Sequence, residues 1–279
     1  MNPDTTPAAL HSHVAGSSFY AGMRVLPRPE REAMYAVYGF CRLVDDIADE
    51  ETQPRPERAK ALDQWRRDID ALYAHSDAGK AAFLNEAVER FALKHEDFHA
   101  VIDGMAMDIK QQVDWPDMAT LDLYCDRVAS AVGRLSVRVF GMDETPGIAL
   151  AHHLGRALQL TNILRDIDED AVIGRVYLPR EALLAAGVVV GDIKALVVDP
   201  RVDAAARQLA ATAHQHYGEA DAILAKRPHG HLIAPRMMAA VYAKTLRRTE
   251  EIGWKPPRVR VKTNKLALIG TLARLWLFR

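Results

Sequence analysis

Two stretches of this chain repeat one polar spacing inside otherwise apolar sequence, and that repetition limits the fold more than any other feature. In the first, Tyr38, Arg42, Asp45 and Asp49 are four, three and four residues apart. In the second, Gly155, Gln159, Asn162 and Asp166 repeat the spacing, and Asp170 follows four later. On a helix such intervals put all the members on one stripe. Val37, Cys41, Val44 and Ala48 border the first stripe; Leu154, Leu158, Leu160, Ile163 and Ile167 border the second. Carboxylates set among apolar residues are expensive to bury unless paired or coordinating a metal. A single acidic pair at this spacing is most often a solvated face. Two of them, each embedded in apolar sequence, predict helices that face each other and form a cage for hard cations and an anionic substrate.

The rest of the sequence predicts one all-α domain. Helical periodicity dominates and no run alternates like a strand. With 279 residues, 49% of them hydrophobic, the chain can bury one large core or two modest ones. Residues 1–16 read as a tail, 17–265 as the helical domain, and 266–279 as an apolar C-terminal helix. Long helices are expected over about 28–50, 57–74, 121–140, 146–170, 199–225 and 233–252, with two or three more within 76–115. Small residues at Ala129, Ser130, Ala131 and Gly133 would let something approach the backbone closely. The net charge of −1 supplies no field for nucleic acid. Cys41 and Cys125 sit in apolar helical patterns and read as free thiols of a reducing compartment. Met1 to Val14 carries no signal-peptide core. The longest apolar run, Leu266 to Phe278, is broken by Gly270 and Arg274 and is too short to span a bilayer.

Carboxylates four apart on one helix face can share a divalent cation, and Mg²⁺ takes oxygen ligands and shares them with phosphates. The stripes contain no histidine, which argues against zinc there. Arg42, Arg165 and Arg175 lie near the acids and can meet phosphate oxygens. A diphosphate on a greasy chain fits these features together.

The chain resembles the squalene/phytoene synthase family. The matching segments are Ser17-Ser18-Phe19-Tyr20, Cys41 through Asp49, Tyr124-Cys125-Asp126-Arg127-Val128-Ala129, Leu158 through Asp170, and Gly174-Arg175-Val176-Tyr177-Leu178-Pro179. The resemblance runs from about residue 17 to about 265. It implies an all-α isoprenoid-synthase bundle around a central cavity, in which two prenyl diphosphates, most often farnesyl diphosphate, condense. By motif, it implies that Asp45, Asp49, Asn162, Asp166 and Asp170 hold Mg²⁺. Ser18, Phe19, Tyr38, Arg42, Gln159, Arg165, Arg175, Tyr177, Tyr242 and Arg258 then meet the substrate, and Tyr124 assists proton or cation handling. Leu154 through Gln159, Asp166 through Asp170 and Arg258-Val259-Arg260-Val261 resemble the bacterial members that make presqualene diphosphate in hopanoid pathways. Such enzymes stop at the cyclopropyl stage, so NADPH is not expected, and no glycine-rich dinucleotide fingerprint is present. The alternatives are a squalene, dehydrosqualene or phytoene synthase, or a non-catalytic relative that binds prenyl lipid.

Other segments read more plainly. His95-Glu96-Asp97-Phe98-His99 matches HExxH, but Asp97 and Lys94 mark it as solvent-facing and no third ligand follows it, so a zinc hydrolase is disfavoured. Asp103 through Asp108 is a core helix or a cavity wall with adaptable methionines. His152, His153, His214 and His216 read as ordinary helix residues. The basic stretch from Arg258 to Lys265, with the apolar segment after it, suits reversible contact with a membrane surface. The expected location is the cytoplasm, peripheral to the inner face of the membrane.

Overall fold

The computed structural model describes residues 22–50 and 52–262, and among them every regular element is helical. Ser18, Phe19 and the apolar 266–278 segment lie outside the described residues. The elements are α1 (Arg28–Asp49), α2 (Arg55–Tyr73), a 3₁₀ turn (Gly79–Leu84), α3 (Asn85–Phe91), α4 (His95–Ile109) and α5 (Met118–Cys125). A π turn (Asp126–Ser130) leads into α6 (Ala131–Val139), followed by α7 (Glu144–Arg165), α8 (Ile167–Val172), α9 (Arg180–Ala185) and α10 (Ile193–Val198). The long helices α11 (Val202–Ala225) and α12 (Ile233–Ile252) close the bundle. No helix among the described residues is long and apolar enough to cross a membrane.

Helix α1 begins where Pro29 supplies a preset φ at a position that needs no amide donor. It buries Ala33, Val37, Phe40, Val44 and Ala48 at spacings of three and four. Phe40, fully buried, meets Trp65 of α2 edge-on at 5.5 Å and Phe98 of α4 at 5.2 Å, so three helices share one aromatic hub. This hub anchors the first of two apolar clusters. The second is built around α7, which packs against α6, α11 and α12. Trp254, just past α12, donates its indole N–H to the Leu164 carbonyl at 2.7 Å and pins the chain to the end of α7.

Two stretches expected as single helices are interrupted. The helix expected over 121–140 carries a π turn at Asp126–Ser130. That turn keeps Asp122, Asp126 and Ser130 on one side, where all three hold the buried Arg156 of α7 at 2.7–3.1 Å. A buried guanidinium needs such partners. The helix expected over 146–170 breaks at Asp166 (φ −109°, ψ 20°). Adjacent residues on a helix do not face each other. By leaving the helical basin, Asp166 can take both the Nε and an Nη of Arg165, its neighbour. The ladder then recovers, as Asp170 N–H donates to the Asp166 carbonyl at 2.8 Å.

The close approach foreseen at residues 129–133 is made by α7. A side-chain carbon at Gly155 would lie 2.7 Å from the Ser130 Cα and N, and one at Gly133 would lie 3.0 Å from Ala151. Glycine at both positions lets the helices touch backbone to backbone.

Candidate active site

Helices α1 and α7 both line one cavity of about 290 Å³. Tyr38, Arg42 and Asp45 come from α1 and Gln159 and Asn162 from α7, so part of each stripe reaches it, whereas Asp49, Asp166 and Asp170 do not line it. Most of the remaining wall is apolar. Met34, Val101, Met105 and Phe140 belong to the first apolar cluster, and Leu150, Leu154 and Met238 to the second. The cavity therefore sits where the two clusters meet. Gly155 and Gly133, which permit the close α6–α7 contact, also line it.

At the polar end the two acidic sets are tied together. Arg175, in the loop after α8, donates to Asp49 Oδ1 at 2.7 Å and to the Ala48 carbonyl at 3.0 Å, both at the end of α1. That loop is held in turn. Trp115 N–H donates to the Val176 carbonyl at 2.9 Å, and Arg180 N–H to the Pro116 carbonyl at 2.8 Å. On the first set, Arg42 bonds Asp45 at 2.6 Å and Asp46 at 2.9 Å. On the second, Asp166 is bracketed by Arg165 and by Arg260, the latter at 2.7 Å. Arg165 also hydrogen-bonds Tyr242. Within the basic stretch it is Arg260 that reaches Asp166. Arg258 bonds Asp168 at 2.7 Å and the Val197 carbonyl at 2.9 Å.

The electrostatics show a site short of positive charge. Burial, then the neighbouring charge of Asp49, pushes Asp45 up to about 7 against the pull of Arg42. Burial, then the charge of Asp166, pushes Asp170 up to about 7 against the pull of Arg175. Burial also pushes Asp166 up, but its two guanidinium partners more than offset this and hold it below the usual range. Asn162 Oδ1 is buried and has no hydrogen-bond partner in the protein. A buried acceptor of this kind calls for a ligand. An unpartnered amide oxygen among crowded carboxylates is a donor set that fits a hard divalent cation.

One residue at this end has no stripe to announce it. Asp108, at the end of α4, is buried and accepts from Tyr177 Oη at 2.7 Å and from Tyr124 Oη at 3.0 Å. The two tyrosine rings stack with centroids 5.2 Å apart. Burial raises the Asp108 carboxyl to about 6, although Arg175 and both hydroxyls pull it down. Its charge contributes to the raised values of Asp45 and Asp170, so it lies electrically between the two sets. Burial and the Asp108 charge push both tyrosine hydroxyls well up, so they remain protonated. The sequence shows only an aspartate closing an apolar, methionine-rich helix. The signal available was Asp108 and Tyr124 each standing at the edge of a segment already singled out.

One reading of the His95–His99 segment is corrected. Asp97, expected to face solvent, is buried against Arg134 of α6. The HExxH pair does have a third neighbour, but it comes from upstream: Asp70 of α2.

The sequence model of the squalene/phytoene synthase family matches residues 13–267. The presqualene diphosphate synthase of Zymomonas mobilis is 63% identical over 264 residues, covering 95% of this chain and 90% of that one. The presqualene diphosphate synthase of Rhodopseudomonas palustris is 51% identical, covering 95% of each chain. Among solved structures, a dehydrosqualene synthase in complex with ligand superposes with a TM-score of 0.81 at 24% identity, covering 98% of this chain and 95% of its own. A squalene synthase from Alicyclobacillus acidocaldarius gives 0.74 at 24% identity, covering 90% and 98%. The helical bundle of those structures is the fold seen here.

Proposed function

The chain belongs to the squalene/phytoene synthase family, and we propose that it joins two farnesyl diphosphates head to head, giving presqualene diphosphate and releasing one diphosphate. One observation carries this reading: Asp45 of α1 and Asn162 of α7, one member of each polar stripe, line a single cavity whose other walls are mostly apolar, and Arg175 of the loop after α8 reaches Asp49 at the end of α1. The names of the relatives from Zymomonas mobilis and Rhodopseudomonas palustris support the same product.

Asp45, Asp49, Asn162, Asp166 and Asp170 would hold Mg²⁺, which when bound neutralises diphosphate oxygens as a Lewis acid. The chain's own residues do the rest. Arg42, Arg165, Arg175 and Arg260, now on the carboxylates, lie within reach of a diphosphate placed among them and provide planar donors for it. As the C1–O bond of one substrate breaks, its electron pair leaves with the diphosphate and an allylic cation remains. The apolar wall, with Tyr38 and Phe140 among its aromatics, keeps water from that cation. The double bond of the second substrate attacks C1, and loss of a proton closes the cyclopropane ring. Tyr124 lines the cavity and its hydroxyl points at Asp108. It accepts that proton as it passes its own to the Asp108 carboxylate, whose value near 6 leaves it mostly ionised at neutral pH.

The protein is further proposed to touch the membrane surface reversibly through its C-terminal basic and apolar residues, which suits a lipid product. The deciding experiment incubates purified protein with farnesyl diphosphate and Mg²⁺, without NADPH, and identifies products after phosphatase treatment. Presqualene alcohol is expected. Phytoene, or squalene formed only when NADPH is added, would move the assignment within the family; binding without diphosphate release would refute catalysis.

A further inference from the structure

Outside the cavity, a second set of metal-type ligands comes together on the outer side of α2 and α4. His95 and His99 are one turn apart at the start of α4, with ring centroids 4.3 Å apart. Both present Nε2 to the same oxygen of Asp70, near the end of α2, at 2.7 and 2.8 Å. One ligand atom from each of the three residues lies within 4.8 Å of the others. The His95 ring is held in place by Tyr73, which packs on it edge-on at 4.9 Å while its hydroxyl donates to the Leu93 carbonyl. Asp70 is exposed and the two imidazoles are partly so, which leaves the set open to an ion from solvent.

We propose that Asp70, His95 and His99 form a binding site for a divalent transition metal of the zinc type, clamping α2 to α4. Two imidazoles at i and i+4 and a carboxylate from a second helix are a common three-ligand set for such ions, with water completing the tetrahedron. Ligands about 2.0–2.2 Å from a tetrahedral ion stand about 3.3 Å apart, so the pairs now hydrogen-bonded need to open by only about half an ångström. Mg²⁺ prefers oxygen and does not compete for the imidazoles. The site is separate from the acidic cage: Asp108 closes the far end of α4, about 20 Å along the helix axis from His95. The other histidine group, His152, His153 and His216, sits beside the Arg156 guanidinium, whose charge disfavours a cation there.

The test uses the full chain, freed of metal by a chelator and held in excess Mg²⁺, with Co²⁺ as a visible probe. One equivalent of Co²⁺ should bind with the intense absorption of a four-coordinate nitrogen–oxygen site, and Zn²⁺ should displace it. His99→Ala and Asp70→Asn should each weaken binding at least tenfold, while His216→Ala leaves it unchanged. Zn²⁺ should raise the melting temperature of the native chain and not of the two ligand variants, whose circular dichroism reports that they fold. Co²⁺ binding that survives in His99→Ala and Asp70→Asn, that is lost in His216→Ala, or that excess Mg²⁺ abolishes would overturn the proposal.

Discussion

Replacing Asp108 by asparagine separates its chemistry from its packing, because the amide has nearly the same shape. In the native chain the carboxylate accepts from Tyr177 at 2.7 Å and from Tyr124 at 3.0 Å. Hydrogen bonds to a charged group are worth about 1.5–3 kcal/mol and neutral ones about 0.5–1.5. Exchanging two of the first kind for two of the second costs about 2 kcal/mol. Relief of a buried charge returns part of this, so the fold should survive with a melting temperature lower by no more than about 4–8 °C. Turnover should suffer far more, because an amide cannot take the proton passed through Tyr124. General bases contribute about 10²–10⁴-fold, so kcat should fall at least about a hundredfold, equivalent to about 2.7 kcal/mol. Tyr124→Phe should do similar damage, and the double variant should be scarcely worse than either single one, since the two act as a unit. Removing the Asp108 charge also removes one of the causes that raise Asp45 and Asp170, so the acid limb of the surviving activity should move to lower pH. The assay is initial-rate product formation from farnesyl diphosphate across pH, beside a thermal melt of each variant. A kcat within threefold of native, or losses that multiply in the double variant, would refute the relay.

Three further outcomes are expected. Asp45→Ala or Asp166→Ala should reduce turnover by several orders of magnitude, as loss of a Lewis-acid contact worth several kcal/mol requires, while circular dichroism stays native; full activity in either would remove the cage. Gly155→Ala places a carbon 2.7 Å from the Ser130 backbone. Overpacking of up to about 3 kcal/mol outweighs the gain of about 1 kcal/mol in helix propensity, leaving a net loss of up to about 2 kcal/mol, so a melt lower by up to about 8 °C is expected, and a more stable variant would contradict the contact. Finally, the folded-state values of Asp45, Asp170 and Asp108, about 7, 7 and 6, lie above an ordinary aspartate's. The fold binds those protons more tightly than the unfolded chain, so their stabilising effect is complete below about pH 4 and is lost as pH rises through 6 to 7. Metal-free protein should therefore melt lower at pH 8 than at pH 5.5, and Mg²⁺ should restore more at pH 8, where the acids are ionised; the reverse order in a chelator-controlled melt would count against the carboxylate crowding.

What could be read from the chain is what repeats along one helix. The stripe of Tyr38, Arg42, Asp45 and Asp49 and its echo at Gln159, Asn162 and Asp166 are local periodicities, and the helices that carry them lie nearly where the pattern put them. Juxtapositions between distant elements leave no such trace. Asp108 reaches Tyr177 across 69 residues, and Asp70 reaches His95 across 25. Asp97 looks like a surface acid until Arg134, 37 residues on, accounts for its burial. The break at Asp166 was hidden for another reason: helical spacing continues through it, and only the side-on pairing with Arg165 turns the backbone aside. Arg260 rather than Arg258 reaches Asp166 because a two-residue shift in an irregular segment has no periodicity to expose it.

The hollow is walled jointly by two hydrophobic clusters, one contributed mainly by the first half of the chain and one mainly by the second. Any gauge of prenyl length is thus shared property. Shaving Met34 on one wall or Leu150 on the other adds only a side chain's worth of space, less than an extra isoprene unit demands, and each cut also loosens its own cluster. Variants that accept a longer tail should therefore emerge from paired changes, one drawn from each half, and libraries randomised at one position should seldom contain them.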